Sequence, residues 1–126
     1  MGFEKSVEGI SYADVHFYDE MQKIWEAAFS EEFPGLWGLP EEVLKVFYKY
    51  LSNGVGHKIG GYPDFAQYDP REDDNFHDTL LLQIESEWNE QYSVMFGDAG
   101  VANFFINRED LAQCKFDDVL YNWDCS

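Results

Sequence analysis

At 126 residues, with 45% hydrophobic and 18% aromatic side chains, the chain has the size and apolar content of a single folded domain over 1–126, which argues against global disorder. Its 25 acidic against 8 basic side chains give a formal charge of −17, which argues against nucleic-acid binding and anionic membrane surfaces, because both need clustered Lys and Arg. No apolar run reaches the roughly 20 residues of a bilayer span, and Met1 to Lys5 lacks the order of a signal peptide. A cytoplasmic location is therefore expected, with Cys114 and Cys125 as free thiols.

The opening residues Gly2 to Ile10 alternate loosely and suggest an edge strand. From Tyr12 the apolar spacing becomes helical, with Phe17, Met21, Ile24, Trp25 and Ala28 on one stripe and Ser11 and Asp14 suited to the start. Two prolines and two glycines make 33–40 an irregular apolar loop. A second helix follows from Pro40, with Glu41 and Glu42 at the positive end of its dipole, a stripe of Val43, Phe47, Tyr50 and Leu51, and a left-handed cap at Asn53-Gly54.

The Gly-rich segment from His57 to Gln67 comes next, and then a charged stretch from Tyr68 to Asp78 whose carboxylates surround a single Arg71 and which reads as a solvated loop. Beyond it, Thr79 to Glu85, Tyr92 to Phe96 and Val101 to Asn107 are short apolar runs bounded by polar residues or Gly, as strands are. Gly97-Asp98-Ala99-Gly100 reads as the turn of a hairpin joining the last two. A short helix over Arg108 to Cys114 and a final strand over Val119 to Asp124 complete the chain. Helices first and strands later predict an α+β fold, two N-terminal helices followed by a mainly antiparallel sheet.

The run Gly54 to Gly61 invites comparison with phosphate-binding loops, yet Ile59 stands where a dinucleotide fingerprint needs its third glycine, and Tyr62 where a Walker loop needs Lys. Gly60 and Gly61 read instead as backbone geometry, with Pro63 holding Tyr62 extended and the Gln67 amide tying the loop to neighbouring backbone. The acidic stretch lacks the ligand order of a calcium loop, and His16, His57, His77, Cys114 and Cys125 are too scattered for a zinc motif. No catalytic signature occurs, and the aromatics Trp25, Phe47, Phe104, Phe105 and Trp123 read as core.

Four segments in order, HKIGGYPDFAQYDPR at 57–71, TLLLQIESE at 79–87, MFGDAGVANFFINREDL at 95–111 and FDDVLYNWDC at 116–125, resemble the YwqG-like family of bacterial proteins of unknown function. Members of that family carry a further N-terminal half with its own Gly-Gly-x-Pro and Gln elements. The resemblance therefore implies a correspondence to the C-terminal half, an α+β fold, and an exposed apolar surface where the other half would sit. A homodimer through that surface is the expected consequence. The resemblance brings no catalytic residues.

Two functional expectations follow. The first is a non-catalytic cytoplasmic protein-interaction module, regulatory or of the toxin-immunity type, whose acidic surface attracts a basic protein. The alternative is a small-ligand or metal-binding domain centred on the Gly60-Gly61 loop, with His57, Lys58, Gly60, Gly61, Tyr62, Gln67 and Asp98 as candidate contacts. Neither a cofactor nor a sequence-defined metal ligand set is expected.

Overall fold

A computed structural model describes residues 4–5, 10–11, 13–51 and 55–125, the side chains of 50 and 51 excepted. The expected N-terminal strand and the Asn53-Gly54 cap thus fall largely or wholly outside the described residues. Two helices, α1 (Phe17–Phe29) and α2 (Glu41–Leu51), come first. They are followed by strands β1 (Lys58–Ile59), β2 (Thr79–Glu85), β3 (Glu87–Trp88), β4 (Ser93–Val94) and β5 (Val101–Ile106), a short helix α3 (Arg108–Ala112) and strand β6 (Val119–Asp124). All pairings are antiparallel, with order β1-β2-β5-β6 in a four-stranded sheet and β3-β4 as a separate ribbon, the α+β arrangement expected.

The helical part closes around Ile10, Phe17, Met21, Leu36 and Leu39, with Trp25, Phe33, Leu44 and Phe47 packed against them. The α1 stripe is narrower than its spacing implies, since Ile24 and Ala28 are exposed. On α2, Leu44 faces the cluster while Val43 looks outward. Ser11 and Asp14 lie ahead of α1 and order the turn that leads into it: the Ser11 hydroxyl accepts from the Ala13 amide at 3.2 Å, and the Asp14 carboxylate accepts from the His16 amide at 2.8 Å.

Register decides which side chains share a face of the sheet. Leu80, Gln83 and Glu85 align with Phe105, Asn103 and Val101, which in turn align with Leu120, Asn122 and Asp124. This inner face is covered by the loop 63–71. Gln83 and Asn103 are fully buried there and hold Asp64 between them: Gln83 Oε1 accepts from the Asp64 amide at 2.7 Å, and Asn103 Nδ2 donates to the Asp64 carbonyl at 2.8 Å. Phe65 stacks on Phe105, whose complete burial contributes roughly 1.5–3 kcal/mol. A bulge at Leu81 lets Leu80 and Leu82 both keep their faces.

The hairpin expected across Gly97 to Gly100 does not form. β4 pairs with β3, whereas β5 sits between β2 and β6, so the turn changes sheets instead of folding one strand on the next. Gly97 and Ala99 supply its positive φ values, both 58°. Trp123, expected in the core, stands on the outer face of β6 and is 48% exposed.

Candidate functional site

The glycine-rich segment is built for backbone geometry. Gly60 and Gly61 have φ of 72° and 79°, a region L side chains avoid, and this turns the chain out of the two-residue strand β1. The Gln67 amide does tie the loop down: its Nε2 donates to the Cys125 carbonyl at 2.5 Å. Asp124 reinforces this, its carboxylate accepting from the amides of Ala66, Gln67 and Tyr68 at 3.2, 2.7 and 3.3 Å. His57 Nδ1 accepts from the Glu85 amide at 3.0 Å, which leaves the ring proton on Nε2, facing Glu87 Oε2 at 2.8 Å.

The candidate residues divide between two ends of the sheet. His57, Gln67 and Asp98 lie toward the Glu85–Val101–Asp124 end, and Lys58 is in register with Gln83. The Gly60 amide donates to the Leu81 carbonyl, about 13 Å back along β2 at 3.3 Å per residue. Gly61 and Tyr62 belong to that second end and border a cavity of about 380 Å³ between the helical part and the sheet. Its other walls are Ile10, Asp14, His16, Glu20, Pro63, Arg71, Asp78, Thr79, Leu80 and Arg108.

Beneath this cavity lies a charge cluster that the sequence reading placed in solvent. Arg71 is only 2% exposed. Its Nε and a terminal nitrogen donate to the two Asp69 oxygens at 2.9 and 2.7 Å, and the same nitrogen lies 3.3 Å from Asp14. The guanidinium also rests 4.2 Å above the Phe105 ring. Asp69 further accepts from the Val15 amide at 3.0 Å, so one buried network joins the entry to α1, the 63–71 loop and the sheet. Burial of this one guanidinium is tolerable because carboxylates from positions 14 and 69 pair with it.

The remaining carboxylates of the charged stretch stay outside, and His77 organises them. Its Nδ1 lies 2.6 Å from Asp74 and its Nε2 2.8 Å from Asp118, so the ring, when protonated on both nitrogens, bridges the 70–78 loop to the start of β6. Two further ties run in parallel: Asn107 Nδ2 donates to the Phe76 carbonyl at 2.9 Å, and the Arg108 amide donates to Asp78 at 2.9 Å. Glu72 and Asp73 of this loop, and Asp117 and Asp118 ahead of β6, are exposed. Among the described residues, Glu72, Asp73 and Asp117 have no ion-pair partner.

Burial opposes charge on His77, but hydrogen bonds and attraction from Asp74 and Asp118 outweigh it and raise its pKa above 6.5. Asp74 is held below 3.8, chiefly by the His77 amide and then by the ring. The raised His77 value means that its stabilisation is complete below 6.5 and disappears as pH rises through the folded-state value. The lowered Asp74 value gives stabilisation present above 3.8 that is lost as pH falls through its folded-state value. The bridge is accordingly strongest between those limits. His77→Gln is expected to flatten the stability profile above 6.5 and to lessen the acid-side loss in part, since the His77 ring as well as its amide holds Asp74 down; an unchanged profile in chemical denaturation would contradict the bridge.

An antiparallel α+β domain with a buried charge network and an exposed acidic loop is the class these observations define. The model of the family described as Domain of unknown function (DUF1963) matches residues 1–125, and the chain belongs to that family. No curated protein matches it. Among the described residues, no helix is long and apolar enough to cross a membrane, and no group of three or more His, Cys, Asp or Glu side chains is placed to hold a metal ion. Both cysteines are free.

Proposed function

We propose that this chain is a non-catalytic, cytoplasmic protein-interaction module, of a regulatory or toxin-neutralising kind, that binds a basic protein through an acidic surface. The observation that carries this reading is the excess of 25 acidic over 8 basic side chains, with Glu72, Asp73 and Asp117 exposed and without an ion-pair partner among the described residues. A formal charge of −17 draws a basic protein toward this surface from beyond contact distance. The YwqG-like resemblance is compatible with this reading and supplies no reaction.

The test compares the wild-type chain with a variant carrying Glu72→Gln, Asp73→Asn and Asp117→Asn. A partner captured by the wild type is expected to bind the variant at least about tenfold more weakly, with unfolding free energy nearly unchanged. Equal binding by the two proteins would overturn the reading. A second reading, a small-ligand site, is favoured by the cavity beside Gly61 and Tyr62, which is lined by Arg71 and Arg108 together with Asp14, Glu20 and Asp78. Its ligand would carry both charges, as an amino acid does, because the walls offer both.

A further inference from the structure

The outer face of the four-stranded sheet is apolar; Ala102 and Ile106 of its central strand are buried, while its edges are exposed. By register, Ile59, Leu82, Phe104 and Tyr121 form one row across all four strands, and Ile84, Ala102 and Trp123 form the next. Ile59, Tyr121 and Trp123 are 67%, 50% and 48% exposed, and Leu82, Ile84 and Phe104 are half-buried. An antiparallel sheet that meets water on one face normally alternates apolar-in with polar-out. Here the buried inner face mixes Gln83, Asn103 and Asp124 with Leu80, Val101 and Phe105, and the two outer rows carry only apolar and aromatic side chains. No side chain in the two outer rows is charged, in a chain of 25 acidic residues.

We propose that this face is the contact surface between two copies of the chain, packed sheet on sheet about a two-fold axis parallel to the strands. That operator places β6 of one copy over β1 of the other. The face is graded in the matching sense: the β1-β2 side presents Ile59, Leu82 and Ile84, and the β5-β6 side presents Phe104 and Tyr121, whose rings pack at 4.8 Å, together with Trp123. Under the two-fold, the protruding aromatics of each copy meet the shorter aliphatics of its partner, which is the self-complementarity an isologous interface requires. A charge-selected partner has the acidic surface to bind; a face with no charge in so acidic a protein suits a copy whose matching face is equally uncharged.

Strands about 4.8 Å apart and 3.3 Å per residue give β2, β5 and β6 a face of roughly 15 Å by 20 Å, to which the two residues of β1 add little. That is less than half of the roughly 800 Å² per partner typical of specific complexes, so association should be weak and concentration-dependent, in the micromolar range. Mutual repulsion of the two chains opposes it and is screened by salt, so the dimer should strengthen as salt is added.

Sedimentation equilibrium across protein concentration, at low and at physiological salt, tests this on the intact chain. The weight-average mass is expected to climb from 14.7 kDa toward twice that value, and to do so at lower concentration in the higher salt. Trp123→Lys and Ile59→Lys should each hold the protein at the monomer mass with its circular dichroism retained. Both substitutions make the net charge less negative, so a loss of dimer cannot come from added repulsion. Should one variant fail to fold, the other carries the same test from the opposite edge of the sheet. A wild type that stays monomeric to high micromolar concentration at physiological salt overturns the proposal, as does a dimer that both folded variants retain.

Discussion

Arg71→Met is expected to lower the unfolding free energy by about 3–5 kcal/mol, the usual cost of removing one partner from a buried ion pair. The substitution leaves Asp14 and Asp69 buried without their cation, and it removes the group lying over Phe105. Methionine fills much of the volume, so little of the loss comes from a cavity. Arg71→Lys should recover only part of it, because an ammonium cannot reproduce the paired bonds from Nε and a terminal nitrogen to the two Asp69 oxygens. Denaturant titration provides the measurement, and a change below about 1 kcal/mol would place Arg71 in solvent after all.

Gly100→Ala is expected to cost about 3 kcal/mol or more, for a steric reason. A Cβ at this position would stand 2.0 Å from the Asp124 carbonyl oxygen and 2.6 Å from that of Phe96. Both neighbours are backbone. The first belongs to β6, and the second accepts the Gly100 amide at 2.8 Å. The Gly100 carbonyl meanwhile accepts from the Ser86 amide at 3.0 Å and its hydroxyl at 2.6 Å, so the residue has no freedom to retreat. Gly60→Ala is the natural comparison. Nothing lies within 4 Å of its added Cβ, and its φ of 72° limits the cost to about 1 kcal/mol. Equal losses at the two positions in thermal or chemical unfolding would remove close approach as the explanation for Gly100.

These two effects mark where local pattern stops being informative. Strand β2 occupies Thr79–Glu85 and β6 occupies Val119–Asp124, the ranges read from short apolar runs between polar boundaries. The backbone roles of Gly60, Gly61 and Gln67 were likewise legible, because glycine pairs and a flanking proline constrain φ through local sterics. The pairing of β5 was not. Tyr92 to Phe96 and Val101 to Asn107 look like two arms of a hairpin, but β5 obtains more from β2 and β6 on either side than one arm could offer.

The same limit hid the charge network. Arg71 stood out as a single base among acids, yet its burial depends on Asp14, 57 positions earlier, and on a phenylalanine that arrives with β5. His77 stands out in the sequence only as one of several scattered histidines, because one of its partners, Asp118, lies 41 positions away. Trp123 was assigned to the core on its size alone. Alternation along β6 sets it on the face opposite buried Asp124, and nothing in the local pattern says that the carboxylate's side is the covered one.

The proposed role is attraction of a basic protein to the acidic surface of this domain. The association rate with a captured partner, measured from low to physiological salt, tests it most directly. Electrostatic steering predicts a fall of about tenfold or more across that range, with the Glu72→Gln, Asp73→Asn, Asp117→Asn variant starting slower and falling less steeply. A rate that does not change with salt, equal in the two proteins, would contradict it.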